Sequence, residues 1–272
     1  MNNNFLEENL FRLWTKGQLA HFYILQASTN EDDPRSFLRQ WTNNFIATLI
    51  AKEKQTDKDC AIKTIENGHA DILVIENENP GKNYSIKDDT FNEFFKFQNF
   101  KNFELKQRFI IIEDAHAITK VLSNKLLKTL EEPAANTTIL LLDPFRQEIL
   151  PTIASRGIFL KLPSKNASRD INKVESFSAH LASKQIDETL INSFKSFEQN
   201  PEHLSPILDY LKANKEDEFN IVQEMSSYMS ENSTNFEKLN TFLDALNWYE
   251  KAKTFNNHSP EKLIGLLRCV IN

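Results

Sequence analysis

No apolar run in this 272-residue sequence approaches the ~18 residues that a membrane-crossing helix needs, so no membrane association is expected. The opening MNNNFLEENL lacks the basic-then-apolar layout of a secretory leader, and a cytoplasmic protein is expected. Cysteine is scarce: Cys60 and Cys269 stand far apart and read as buried thiols, which excludes a disulfide framework. Basic charge is also short, with 32 Lys and Arg against 38 Asp and Glu and a formal net charge of -6. The cations are scattered and form no stripe. That argues against a domain that grips nucleic acid unaided; any DNA contact would be made inside an assembly whose other members supply the charge. Internal repeats and long low-complexity tracts are missing as well. What remains, 40% hydrophobic residues with a negative mean hydropathy, is a globular chain long enough for one large core and a smaller helical part. The 21 Phe read as core filling.

The densest information lies between Arg108 and Leu162. Phe109 to Ile112 reads as a buried strand ending in two carboxylates, Glu113 and Asp114. The next helix carries Leu122, Leu126 and Leu130 at i, i+4 spacing, widened by Val121 and Leu127, and Pro133 closes it. Thr138 to Leu142 is a second buried run. Pro151 suits the first turn of a short helix that delivers Ser155 and Arg156 just before a last strand, Ile158 to Leu162. Upstream, strands are expected near 22–26 and 72–76, giving five in all. Helices are expected over Phe5 to Trp14, after Asp32-Asp33-Pro34 with Phe37, Leu38, Trp41, Phe45 and Leu49 on one face, and after Asp88 or Asp89 with Phe91, Phe94 and Phe95 in the core. Lys52 to Asn67 is polar and reads as an excursion; Asn77 to Asn83, with Pro80 and Gly81, reads as a loop. Strands alternating with helices predict an α/β domain on a parallel sheet covered on both faces. After Pro163 the strand-like runs stop. Ile171, Val174, Phe177 and Leu181 have helical spacing, as do Ile186, Leu190, Ile191 and Phe194. Three more helices are expected over Phe219 to Met229, Phe236 to Ala252 and Ser259 to Ile271, the last with Ser259 as N-cap and Pro260 at its first position.

NKLLKTLEEP (Asn124 to Pro133) with ILPTIASR (Ile149 to Arg156) closely resembles the clamp-loader subunits of bacterial DNA polymerase III, the delta-prime family above the others. The likeness extends upstream through GHADILVIE (Gly68 to Glu76) and GQLAHFYIL (Gly17 to Leu25), so it is colinear over roughly the first 160 residues. The resemblance implies an AAA+ core with strand order 5-1-4-3-2, an AAA+ core over 1–163, a small helical lid over 164–212 and a short C-terminal collar-like helical domain over 213–272. It also implies partners: clamp-loader ATPase subunits and a delta-type subunit in a hetero-oligomer, with the sliding clamp and primed DNA met through that complex.

Within that resemblance the residues divide by chemistry. A nucleotide-binding member needs glycines and a Lys-Ser/Thr pair between the first strand and its helix, because backbone N–H groups cradle the phosphates and the lysine neutralises them. Gln26 to Phe37 reads QASTNEDDPRSF, without Gly or Lys, and offers Glu31, Asp32 and Asp33 instead. Those carboxylates would repel a triphosphate by about 1 kcal/mol or more per close pair, so no nucleotide cofactor is expected and the segment reads as a capped helix start. Glu113 and Asp114 stand, in reversed order, where active relatives have Asp then Glu for Mg²⁺ and water; here they read as a vestigial strand end pairing locally. Arg156 matches the arginine that reaches, in trans, a neighbour's ATP, with Ser155 supporting its turn; Gly157 replaces the family's usual Cys. His69 and Asp71 resemble a His-Pro-Asp motif without its Pro and read as structural. Many relatives carry a four-cysteine zinc module near Cys60, but Cys60 with His69 supplies at most two ligands, and no metal is expected. Lys128 is expected to pair with Glu131 and Glu132 along a solvated helix face. The function that follows is a non-ATP-binding clamp-loader subunit, accessory to the polymerase and no enzyme by itself. The alternatives are an ATP-hydrolysing subunit or a diverged AAA+ adaptor outside replication.

Overall fold

In a computed structural model the described residues are 3–28, 31–77, 82–84, 89–146, 149–162, 176–184, 186–232, 236–254 and 260–271. The chain divides into two compact units, Leu10–Asn166 and Met1–Asn9 with Ala167–Asn272.

The first unit is built on five parallel strands: β1 (Phe22–Gln26), β2 (Ile72–Ile75), β3 (Arg108–Ile112), β4 (Thr137–Asp143) and β5 (Ile158–Lys161). Their spatial order is β2-β3-β4-β1-β5, which is the 5-1-4-3-2 order of the AAA+ core. Every residue of β3 and β4 is buried, as continuous apolar strands covered on both faces should be. Crossover helices link the strands: α2 (Pro34–Lys54), α3 (Lys58–Glu66), α4 (Asp89–Gln98), α5 (Lys120–Glu131) and the single turn α6 (Pro151–Ala154), while α1 (Asn3–Thr15) precedes the sheet. Two details differ from expectation. Lys58–Glu66 is a helix, capped by Asp57, whose carboxylate accepts from the Cys60 N–H at 2.8 Å; it buries only Ala61 and Ile65, too narrow a stripe to stand out from polar neighbours. Val121 is exposed, so the apolar stripe of α5 is Leu122, Leu126 and Leu130, with Ser123 and Thr129 buried beside them.

The second unit is helical: α7 (Phe177–Ala182), α8 (Glu188–Gln199), α9 (Ser205–Ala213), α10 (Lys215–Asn232), α11 (Phe236–Thr254), a 3-10 turn over Pro260–Leu263 and α12 (Ile264–Ile271). Phe177 stacks edge-on to Phe194 and Tyr228, with ring centroids 5.0 and 5.4 Å apart, and His180 Nε2 lies 2.7 Å from Glu224 Oε2. Packing is therefore continuous from α7 across to α10. The helical stretch through Ile171 and Val174, the Pro80–Gly81 loop, the Asp88 cap and the Ser259 cap lie outside the described residues. Among the described residues no helix is long and apolar enough to cross a membrane.

One buried ion pair shapes the approach to β3. Arg108, 1% exposed, is among the largest fully buried side chains. Its guanidinium donates to the Phe97 and Phe100 carbonyls, lies 3.8 Å from the Phe97 ring centre and holds Nε 4.0 Å from Asp71 Oδ1. Asp71 in turn accepts from the backbone N–H groups of Phe103, Glu104 and Leu105 at 2.6–2.8 Å. Burial alone would raise the Asp71 pKa, but the three N–H donors outweigh it and hold the carboxyl below the usual range. Such a group contributes stability that is fully present above its unfolded value near pH 4 and is lost as pH falls through the lower folded value. Asp71→Asn is therefore expected to destabilise the protein by about 1–3 kcal/mol in urea denaturation at pH 7, with the difference from wild type narrowing at pH 3. An equal difference at both pH values would contradict this role.

Candidate functional site

At the carboxyl ends of the strands, the segment after β1 leads into α2. Asp33 caps that helix: its Oδ1 accepts from the Ser36 N–H at 3.1 Å, and hydrogen bonding from the Ser36 side chain, then from its backbone N–H, lowers the Asp33 pKa. Pro34 follows in the first turn, where its missing N–H costs nothing. Arg35 and Arg39 then stand one turn apart on α2, facing the end of β3. Arg35 grips Asp114 with Nε at 3.1 Å and Nη2 at 2.9 and 2.8 Å. Arg39 grips Glu113 through Nε and Nη2, both at 2.7 Å, and its Nη2 is 3.9 Å from Glu76 at the end of β2. These planar, two-pronged contacts are the strong form of the arginine–carboxylate pair. The Glu113 and Asp114 side chains are 4% and 1% exposed; deprived of its arginine, either would be a buried uncompensated charge. Asp114 has a left-handed backbone, φ 49°, and the Tyr84 hydroxyl donates to the Glu113 carbonyl at 2.9 Å.

Neighbouring groups complete the rim. The Arg35 guanidinium sits 5.3 Å from the centre of the half-exposed Phe145 ring, a cation–π distance. Arg146, with φ 51°, donates from Nε to the Ala27 carbonyl just past β1 at 2.7 Å. Gln26 Nε2 donates to Asp143 Oδ2 at 2.7 Å, tying the ends of β1 and β4.

The Ser155–Arg156–Gly157 turn lies between α6 and β5. Ser155 is the C-cap of α6, its N–H bonded to the Pro151 carbonyl at 3.0 Å. Ser123 and Thr152 hydroxyls meet at 2.9 Å and dock α6 on α5. Arg156 is part-exposed and donates from Nε to Glu131 Oε1 at 2.8 Å, from Nη1 to the Thr152 carbonyl at 2.7 Å and to Ser155 Oγ at 3.1 Å. Glu131, expected to pair with Lys128, thus receives Arg156. Gly157 is there for space: a Cβ would come within 2.7 Å of Ile24 Cδ1 and Cγ1 and 3.0 Å of the Phe22 ring. The turn that carries Arg156 is seated directly on β1.

His69 accepts at Nδ1 from the Asp71 N–H at 3.0 Å and keeps Nε2 3.5 Å from Glu104; with Asp71 spent on its loop, the pair is architectural. Both cysteines are free, but Cys60 is exposed and Cys269 half-buried, which corrects the expectation of two buried thiols. Cys60 opens α3, where the narrow buried stripe leaves it outward. Among the described residues no cluster of three or more His, Cys, Asp or Glu could hold a metal ion. Sequence reasoning reached Glu113, Asp114, Ser155 and Arg156; it missed Arg35, Arg39 and the Arg156–Glu131 pair. The one available signal was two arginines four residues apart on the helix nearest an unmatched acidic pair.

Filling the space at Gly157 should be costly. Gly157→Ala is expected to lose about 1–3 kcal/mol of stability by overpacking, read as a lower urea midpoint. In an Ile24→Ala background the same change should cost less, since the clashing atoms are gone; an equal cost in both backgrounds would show that the contact with β1 is not the constraint.

Comparison with known proteins bears on this geometry. The family described as "DNA polymerase III, delta subunit" matches residues 2–166. The DNA polymerase III subunit delta' of Pseudomonas aeruginosa is 26% identical over 164 residues, 58% of this chain and 49% of that protein, so the chain spans about half the length of this curated relative. A DNA polymerase III gamma subunit-related protein of Thermotoga maritima, known from its crystal structure, aligns over 97% of this chain and 98% of its own with 17% identity and a TM-score of 0.42. The family match takes in more than half of the sequence and all five strands, and the chain belongs to the DNA polymerase III delta subunit family.

Proposed function

We propose that the protein is a clamp-loader subunit of DNA polymerase III that binds no ATP itself and completes the ATP site of a neighbouring subunit with Arg156. The observation that carries this reading is the double arginine clasp on Glu113 and Asp114. In an ATP-hydrolysing AAA+ subunit the acidic pair at the end of this strand serves a metal–nucleotide complex. Here two cations from the chain's own α2 neutralise it. The segment from Gln26 to Phe37, with neither Gly nor Lys, supports the same division of labour. The core then serves as a preassembled wedge in a ring of homologous subunits, with residues 164–212 as a lid and 213–272 as a collar contact.

Arg156 supplies the chemistry in trans. A guanidinium placed against a neighbour's terminal phosphate stabilises the charge that develops on its oxygens during transfer, and Lys cannot reproduce the planar fork. Ser155 supports the turn. The partners are the ATPase subunits and a delta-type subunit in a hetero-oligomer of the cytoplasm, and the sliding clamp and primed DNA are met through that complex. A net charge of -6 suits a member that leaves the phosphate backbone to others.

The test is clamp- and DNA-stimulated ATP hydrolysis by the loader reconstituted with this chain or its Arg156→Ala variant. At the site this chain completes, single-turnover hydrolysis is expected to fall by about 10³-fold or more, with assembly unchanged on gel filtration. An unchanged rate would overturn the trans role. Titrated with ATP, the isolated chain is expected to bind more weakly than about 1 mM, beyond ordinary enzyme–substrate affinities; micromolar binding would overturn the claim that it holds no nucleotide.

A further inference from the structure

Arg156 already has a carboxylate. Nε and Nη2 both donate to Glu131 Oε1, and Nη1 donates to the Thr152 carbonyl and Ser155 Oγ. A guanidinium has five N–H donors, so four are engaged inside the chain, including the whole edge that would present two parallel N–H groups to a phosphate. The partner is singular as well: one oxygen of Glu131 takes both bonds, whereas the strong two-pronged form uses two oxygens. Glu131 itself is half exposed, at 49%, and Arg156 is 29% exposed. An ion pair this exposed is weakly held, so it is made and broken at little cost.

The place of Glu131 argues in the same direction. It is the last residue of α5, with Glu132 beside it as C-cap. Two carboxylates at the carboxyl end of a helix face the negative end of its dipole, the unfavourable arrangement. Arg156, 25 residues further on, supplies the missing cation, and Ser123–Thr152 holds the two elements in register.

We infer that Glu131 is a latch on Arg156: it stows the guanidinium while the neighbouring site lacks a terminal phosphate and gives it up when one arrives. This rests on the trans role of Arg156 proposed above. Glu131 is then a positioning residue, and the exchange is carboxylate for phosphate at the same two N–H groups. Because the ion pair competes with the phosphate, weakening it strengthens the engaged state.

The experiment uses the reconstituted loader with Glu131→Gln, which keeps the shape and an acceptor oxygen but removes the charge. In wild-type background the ATP concentration for half-maximal clamp- and DNA-stimulated hydrolysis is expected to drop by about 1.5- to 5-fold, the range that corresponds to ~0.2–1 kcal/mol. The rate at saturating ATP should stay unchanged. In an Arg156→Ala background Glu131→Gln should do nothing. In the isolated chain, the Arg156 Nε–H should exchange with solvent about 1.5- to 5-fold more slowly than in Glu131→Gln. A half-saturation that is unchanged or higher, or a lower saturating rate, overturns the latch and leaves the finger standing. Arg156→Ala with wild-type kinetics removes the finger and the latch with it. Equal Nε–H exchange in the wild-type chain and Glu131→Gln would show that the latch is open at rest and overturn it separately.

Discussion

Two arginines on one face of α2 hold two buried carboxylates at the end of β3, and the rest of the first unit is arranged around that clasp. Glu113 and Asp114 lie where a parallel sheet opens toward solvent at its strand ends, the place where such folds bind ligands. Burying two adjacent negative charges there without partners would be severely unfavourable. Arg35 and Arg39 meet the requirement from inside the chain. They draw α2 onto the strand ends and leave Phe145 beside the Arg35 guanidinium.

With both cations supplied by the chain itself, α2 and β3 are joined through the Arg35–Asp114 and Arg39–Glu113 pairs. At the other end of β3 a second buried charge pair does comparable work: Asp71 organises the chain from Phe103 to Leu105, and Arg108 fastens the preceding carbonyls. The strand is held at both ends by charged groups withdrawn from water, each supplied with hydrogen bonds from nearby backbone or from a matching side chain.

The strands and their helices were legible because burial on both faces writes continuous apolar runs, and LLKTLEEP with ILPTIASR brought the strand order by resemblance. Helix α3 was hidden because only Ala61 and Ile65 turn inward, and α9 because its buried residues, Ile207, Leu208 and Leu211, fit within a single short stretch. The clasp was illegible for a different reason. Arg35 and Asp114 are 79 positions apart, and Arg39 and Glu113 are 74 apart; no local periodicity encodes such pairs. The burial of Arg108 left no sign in the sequence, since arginine is almost always a surface residue and its acceptors are two backbone carbonyls, Phe97 in the last turn of α4 and Phe100 just beyond it. Arg156 was visible through its motif, whereas its carboxylate, on another helix, was visible only as one of two glutamates before a proline.

The seat of Gly157 on β1 has a consequence for how this turn can vary among related chains. Ile24 fills the volume that a side chain at position 157 would occupy, so the two positions share one allotment of space and cannot be exchanged independently. A chain that carries cysteine after the arginine, as the resemblance makes usual, must give up bulk on β1 or stand the turn farther from it. Position 24 is thereby a remote determinant of where the arginine's backbone rests. A substitution at Ile24, inside the sheet, thus changes the seat of the turn that carries the guanidinium.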